Sequence, residues 1–159
     1  MKSKVAKLQY ETHYHLRQAN AGDLSAIFGL LKACDLPVDG LVDHLASVIV
    51  LEAQQDLLGT ATLEIYGPHA LLRSLAVQEA FRNLGLGRRL TQFAMEMARQ
   101  NGVETLYLLT LSAEKFFRTL GFERIERNQV PASVQQSVEF SLNCCDSAVA
   151  MCKRLSHDG

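Results

Sequence analysis

Residues Leu71–Arg89 read LLRSLAVQEAFRNLGLGRR. An apolar strand ends at Val77, a short loop follows, and a helix opens at Arg82-Asn83-Leu84-Gly85-Leu86-Gly87. The first turn of a helix exposes N–H groups that have no intrahelical acceptor, and the helix dipole adds partial positive charge there. Such a start suits an anion, a phosphate in particular. Gly85 and Gly87 let the backbone approach that anion because no Cβ intervenes. Arg82, Arg88 and Arg89 add formal positive charge beside it. No Lys-Ser or Lys-Thr pair follows the glycines, which excludes a P-loop, and the spacing lacks the third glycine of a dinucleotide fingerprint. Read without its surroundings, the pattern also fits a tight loop-to-helix turn whose glycines serve geometry alone.

Upstream, β-branched Ser47–Ala53 predicts a strand and Gln54–Asp56 a turn. Leu57–Tyr66 alternates, with Ala61, Leu63 and Ile65 on one side and Thr62, Glu64 and Tyr66 on the other. Gly67-Pro68-His69 turns the chain into a further strand, Ala70–Val77, so the three form an antiparallel meander. Nearer the start, His13–Ala19 reads as a short strand. Asn20 with Asp23 then caps a helix over 21–34, built on Leu24, Ile27, Phe28 and Leu31. Leu36-Pro37 stops it, and 39–45 reads as a second short helix.

Downstream, Leu86, Leu90, Phe93, Ala94 and Met97 follow helical spacing until Asn101-Gly102. Glu104–Leu111 is an apolar strand. Ser112 is expected to cap a shorter helix that buries Phe116 or Phe117 and Leu120, with Gly121 ending it. Phe122–Arg127 and Ala148–Leu155 read as strands, and Pro131–Gln136 as a short helix or loop. The strand–helix–strand–helix–strand run from 70 to 127, behind an antiparallel meander, predicts an α/β domain on a mixed sheet.

A chain of 159 residues fits one compact domain, 1–159, with a loose polar tail over 1–12. The net charge of −1 gives no general attraction to nucleic acid or anionic lipid. Residues 1–15 lack the apolar core of a signal peptide, and no apolar run approaches a membrane span of ~20 residues. A soluble, cytoplasmic protein is expected, binding neither nucleic acid nor membrane. Cys34, Cys144, Cys145 and Cys152 show no zinc spacing, and no metal is expected. Cys144-Cys145 reads as plain thiols, or as a soft-metal or metalloid site or a redox switch. His13, His15, His44, His69 and His157 share no spacing and receive no catalytic role.

Arg82, Gly85 and Gly87 match motif A of the GNAT superfamily of N-acetyltransferases, Q/R-x-x-G-x-G/A, and the chain resembles that family over roughly residues 13–127. Arg17-x-Ala19-x-x-x-Asp23 looks like the family's opening strand and first helix. Leu75-Ala76-Val77 looks like the strand end before motif A. Leu106–Phe122 looks like motif B, ending in Leu120-Gly121-Phe122. The resemblance implies the GNAT fold: an α/β (α+β) domain on a mixed, mostly antiparallel sheet with helices on both faces. A narrower likeness is to small bacterial arsenic-resistance N-acetyltransferases. It rests on LEIYGPHALLRSLAV (63–77), LYLLT (106–110), KFFRTLGF (115–122) and PASVQQSVEF (131–140). That tail usually runs into Cys-Pro-Ser-Ala; here Cys144-Cys145-Asp146-Ser147-Ala148 lacks the proline. N-acetylglutamate synthase domains are a more distant likeness. Both suggest a small amine or amino-acid analogue as acceptor; a homodimer is left open.

Acetyl-CoA is the donor this resemblance implies. The backbone of Leu75, Ala76 and Val77 would pair with the pantetheine arm, and Arg82, Asn83, Leu84, Gly85, Leu86, Gly87 and Arg88 would hold the pyrophosphate. An N–H near Val77 would stabilise the oxyanion formed on attack. The amine must attack unprotonated. Neutrality at pH 7 costs about 4–5 kcal/mol for a lysine-like amine and ~1 kcal/mol for an α-amino group. Glu64 is the candidate base, against the alternative of a solvated or paired carboxylate. The family's usual acid is a tyrosine, and the matching position holds Phe117, which cannot donate a proton and is placed along the pantetheine path or in the core. Arg73 shares strand parity with Leu75 and Val77 and would clamp an acceptor carboxylate. Thr110 and Tyr66 complete the substrate-binding candidates, with Ser74 and Glu139 behind them. Phe117 also favours a second class, a non-catalytic acyl-CoA-binding module. A third is an unrelated α/β domain with its own anion site.

Overall fold

The computed structural model describes residues 13–142 and 147–156. The expected tail over 1–12, the Cys144-Cys145 pair and His157 lie outside the described residues. Strands are β1 (His15–Gln18), β2 (Val48–Ala53), β3 (Asp56–Tyr66), β4 (His69–Val77), β5 (Thr105–Thr110), β6 (Glu123–Ile125) and β7 (Val149–Arg154). Helices are α1 (Leu24–Ala33), α2 (Leu86–Gln100), α3 (Glu114–Thr119) and α4 (Ala132–Gln135). The sheet runs β1-β2-β3-β4-β5-β7-β6. β1–β2, β2–β3, β5–β7 and β6–β7 are antiparallel, and β4–β5 is parallel. A two-residue turn, Gly67–Pro68, joins β3 to its neighbour β4, a connection that only antiparallel strands can use. The sheet is therefore mixed and mostly antiparallel.

Contacts group the chain into two compact units. One runs to Thr62 and adds Ser74–Ala94; the other joins Leu63–Arg73 to Met95 onward. In the first, the Asn20–Asp23 capping box forms as expected and starts a 3-10 turn, Ala21–Asp23, that leads into α1. Ile27, Leu30 and Leu31 of α1 bury against Val48, Val50 and Ala76. The opposite face of β3 receives α2. A Cβ at Gly59 would stand 2.8 Å from Leu90 Cδ1 and 3.0 Å from the carbonyl oxygen of Ala76. Glycine is what lets the helix come so near. In the second unit, Leu71, Tyr107, Val130, Val134 and Ala150 form the core.

Three local expectations are corrected. Every residue from Leu58 to Glu64 is buried, so the alternative of a solvated surface carboxylate at Glu64 is excluded. Ser112 does not cap α3. The N-cap is Ala113, with no side-chain cap, and the preceding turn is held by Thr110 Oγ1 accepting from the Ala113 N–H at 2.9 Å. Ser74 has φ +60° in the middle of β4. A left-handed residue interrupts the pleat, so the parity that linked Arg73 to Leu75 and Val77 is lost.

Candidate active site

The loop after β4 is anchored by Phe81, which is fully buried in a 3-10 turn, Glu79–Phe81. Arg82 to Gly85 are then exposed. Asn83 and Gly85 adopt positive φ, 66° and 80°. A Cβ at Gly85 would meet nothing within 4 Å, so glycine is there for conformation, and the loop surface is open. The first turn of α2 is closed by Arg89 N–H to Gly85 O, 3.1 Å. The N–H groups of Gly85, Leu86 and Gly87 therefore lack a helical acceptor, the arrangement that suits an anion.

Arg82 does not project over the helix start. Its Nε donates to the Val77 carbonyl at 3.2 Å and its Nη2 reaches Cys34 Sγ at 3.3 Å. It straps the loop to the end of β4 and to the residue that ends α1, beside a cavity of about 720 Å³ lined by Leu30, Cys34, Leu57 and Gln78. The Val77 carbonyl is thus already engaged. Arg88 and Arg89 are exposed, the latter 5.3 Å over the Tyr14 ring. Pairing of β4 with β5 ends at Leu72↔Leu108, whereas β4 continues to Val77. Leu75 and Val77 are half-buried; Ala76 points into the α1 core.

A second constellation is buried. Arg73 Nη1 donates to Glu64 Oε2 at 2.9 Å, and both side chains are sealed, 0 % and 1 % exposed. Glu64 Oε1 accepts from the Tyr66 hydroxyl. Arg73 Nε also lies 3.9 Å from Oε1 of Glu139, whose side chain is 11 % exposed. Burial, then the hydrogen bond to Glu64, raises the Tyr66 phenol well above its usual range, so it stays protonated. Glu64 is thus neither solvated nor at a surface: it is the inner member of an ion cluster. Arg73 is the cation that cluster requires.

The two remaining candidates have structural partners. Thr110 accepts the Ala113 N–H as described. Phe117 is buried, with its ring edge-on to Phe116 at 5.0 Å and to Phe122 at 5.6 Å. One feature went unread in the sequence and another was ranked low. An isolated glycine inside a strand, Gly59, signals close approach. Glu139 ranked low because no pattern ties a loop residue to a strand far behind it. Burial, then the charge of Glu123, raises the Cys152 thiol, which disfavours its thiolate. Among the described residues no group of His, Cys, Asp and Glu could hold a metal ion, and no helix is long and apolar enough to cross a membrane.

Residues 44–124, about half the chain, match the acetyltransferase (GNAT) domain family. The chain belongs to the GNAT acetyltransferases. As a GNAT it is an acyl-CoA-dependent N-acyltransferase, with acetyl-CoA as the donor. It is 29 % identical over 153 residues to an uncharacterized N-acetyltransferase of Chlorobaculum tepidum, covering 88 % of this chain and 96 % of that protein. It is 25 % identical over 130 residues to the amino-acid acetyltransferase of Neisseria meningitidis, 76 % of this chain and 30 % of that one. Its fold is similar to N-acetylglutamate synthase of Neisseria gonorrhoeae solved with coenzyme A and N-acetyl-glutamate. The TM-score is 0.80 at 22 % identity, over 91 % of this chain and 35 % of that chain. The GNAT chain described here spans about a third of the length of those two amino-acid acetyltransferases.

Proposed function

We propose that this protein moves the acetyl group of acetyl-CoA to the amine of a small amino-acid-like acceptor by direct attack of the amine on the thioester. The observation that carries the reading is the open, glycine-shaped start of α2, with N–H groups aimed at an anion and no side chain over Gly85. In this reading Asn83–Arg88 hold the pyrophosphate and Leu75–Val77 lie along the pantetheine arm. Arg82 acts by fixing the loop, and Phe117 acts by packing. The acceptor end is the cluster of Glu64, Tyr66 and Arg73, with Thr110 fixing the turn after β5. Kinship with amino-acid acetyltransferases supports a small acceptor bearing an amine and an acid. The segments quoted above add arsenic- and phosphorus-bearing analogues to the class. A single GNAT domain acting in the cytoplasm on a small molecule, not on nucleic acid or membrane, completes the proposal, with self-association as a homodimer to be measured by sedimentation.

Release of coenzyme A thiol across a panel of glutamate-like amines, with mass spectrometry of the products, tests this directly. Turnover with an acetylated amine as product is the expected result. Phe117, where a tyrosine acid is usual, favours one other reading, a module that binds acyl-CoA without turnover. Saturable acetyl-CoA binding with no thiol released from any acceptor would select it.

A further inference from the structure

The cavity beside Arg82 is lined by none of the residues to which the coenzyme is assigned above, Leu75–Val77 and Asn83–Arg88. It holds about 720 Å³, inside the roughly 300–1,000 Å³ range of small-molecule sites, and its lining belongs wholly to the first compact unit. The lining is divided by chemistry. Leu30 and Ala33 of α1 and Leu57 of β3 supply an apolar wall, and Gln78 Nε2 donates to the Leu57 carbonyl. Glu79 and Arg82 supply opposite charges at exposed positions, and Asp56 adds a second carboxylate. The main chain holds Glu79 and Arg82 together, because the Arg82 N–H donates to the Glu79 carbonyl at 3.3 Å. The Arg82 side chain is turned elsewhere. It gives Nε to Val77 and Nη2 to Cys34, two of the five N–H donors of a guanidinium. A carbonyl or a sulfur is a weaker acceptor than a carboxylate, whose hydrogen bonds are roughly twice as strong.

From this division we propose that the cavity is an effector site for an aliphatic α-amino acid. The ligand's ammonium meets Glu79, its carboxylate meets Arg82, and its side chain lies on the wall of Leu30, Ala33 and Leu57. Opposite charges side by side on the ligand match opposite charges on one turn of the protein. The carboxylate draws Arg82 away from Val77 and Cys34, and those two bonds are the strap that ties the loop to β4 and α1. Without its strap the loop over Asn83–Gly87 is less well fixed, and acetyl-CoA binds less tightly. This coupling rests on the acetyltransferase reading, since it acts through the coenzyme's cradle; the amino-acid site itself does not.

Calorimetry with L-leucine, 4-methylpentanoate and 3-methylbutylamine, with and without acetyl-CoA, tests both parts. The last two are leucine without its ammonium and without its carboxylate. Leucine is expected to bind about 10-fold tighter than either, because each loses one charged hydrogen bond. Saturating leucine should weaken acetyl-CoA binding about 5-fold or more, and acetyl-CoA must weaken leucine by the same factor. Ala33→Trp fills the cavity from an exposed helix position. It should abolish leucine binding and leave acetyl-CoA affinity unchanged. Glu79→Gln should weaken leucine about 10-fold. In Arg82→Gln, acetyl-CoA affinity should no longer respond to leucine. Wild type that does not bind leucine, leucine no tighter than either analogue, or undiminished binding in Ala33→Trp would each overturn the site. Competition between leucine and acetyl-CoA that never reaches a plateau would place the cavity in the coenzyme site and overturn it as well. If wild type binds leucine but no acetyl-CoA, the acetyltransferase reading falls and the coupling with it, while the amino-acid site stands. If both bind with no mutual effect, only the coupling falls.

Discussion

The loop at Arg82–Gly87 and the cluster around Arg73 are built on opposite principles. The loop is exposed, its Arg82 side chain is turned back on the protein, and what the proposal asks of it is its main-chain N–H groups. The cluster is buried and works through side chains that need one another to stay charged. A main-chain site is tolerant of its neighbours' identities but not of its own φ angles. A side-chain site tolerates backbone change but fails when one partner is lost. The two should therefore respond to mutation in different currencies, affinity for the loop and stability for the cluster.

The largest effect is expected in the cluster. Arg73→Met removes the cation that Glu64 and Glu139 both contact, and losing one partner of a buried pair costs about 3–5 kcal/mol. Urea denaturation should show it. Adding Glu64→Gln and Glu139→Gln to Arg73→Met should recover most of that loss, because a neutral buried network carries no uncompensated charge. A single-variant loss below about 1 kcal/mol would mean the cluster is hydrated, and its contrast with the loop would dissolve.

Next comes the loop. Gly85 has φ +80°, where a β-branched residue costs about 1–2 kcal/mol. Gly85→Val is therefore expected to weaken acetyl-CoA binding about 10-fold or more by calorimetry, because the chain must leave the conformation that aims its N–H groups. The melting temperature should move by only a few degrees, since no core is touched. Gly85→Val binding as wild type would remove the main-chain cradle.

This contrast explains what could be read before the fold was known. A site made of φ angles leaves its glycines at fixed spacing in one short stretch, so Arg82-x-x-Gly85-x-Gly87 was legible. The strand and helix order was legible too, because hydrophobic period and turn residues are local. The partners of Arg73 come from β3 and from a turn more than sixty residues later. No local pattern joins Glu139 to Arg73. Glu64 was found, but the sequence left a solvated carboxylate open, because alternation in β3 reports which side a residue faces and not whether that side is covered. Ser74 hid a second error: one left-handed residue flips the register of every residue after it.

Gly59 sharpens the comparison because it supports the loop from behind. Gly59→Ala forces a methyl group to within 2.8 Å of Leu90 and 3.0 Å of a fixed carbonyl. Overpacking of this kind costs about 1–3 kcal/mol. Since Leu90 sits one turn into α2, the variant should also lower acetyl-CoA affinity about 2–5-fold as a fraction of that strain displaces the helix start. Lost stability with unchanged affinity would show that the cradle is set by the loop alone.

The smallest effect belongs to a second ion group that serves as a control for the first. Arg17 bonds Asp23 at 2.8 Å and Glu52 at 3.0 Å, but these side chains are 20–28 % exposed. The Arg17 guanidinium holds the Asp23 carboxyl below its ordinary value, against a smaller opposing effect of burial. A carboxyl whose folded pKa is depressed stabilises the fold above its unfolded pKa of about 3.9, and that contribution is lost as pH falls toward the folded value. Solvent screening keeps such a pair to about 1 kcal/mol or less. Asp23→Asn should thus lower stability slightly at pH 7, and the gap between variant and wild type should close as pH falls below about 4 in urea midpoints. The buried cluster differs in kind, since Glu64 and Arg73 are sealed from solvent screening. A gap for Asp23→Asn as large as that for Arg73→Met at pH 7 would show that burial is not what separates the two groups of charges.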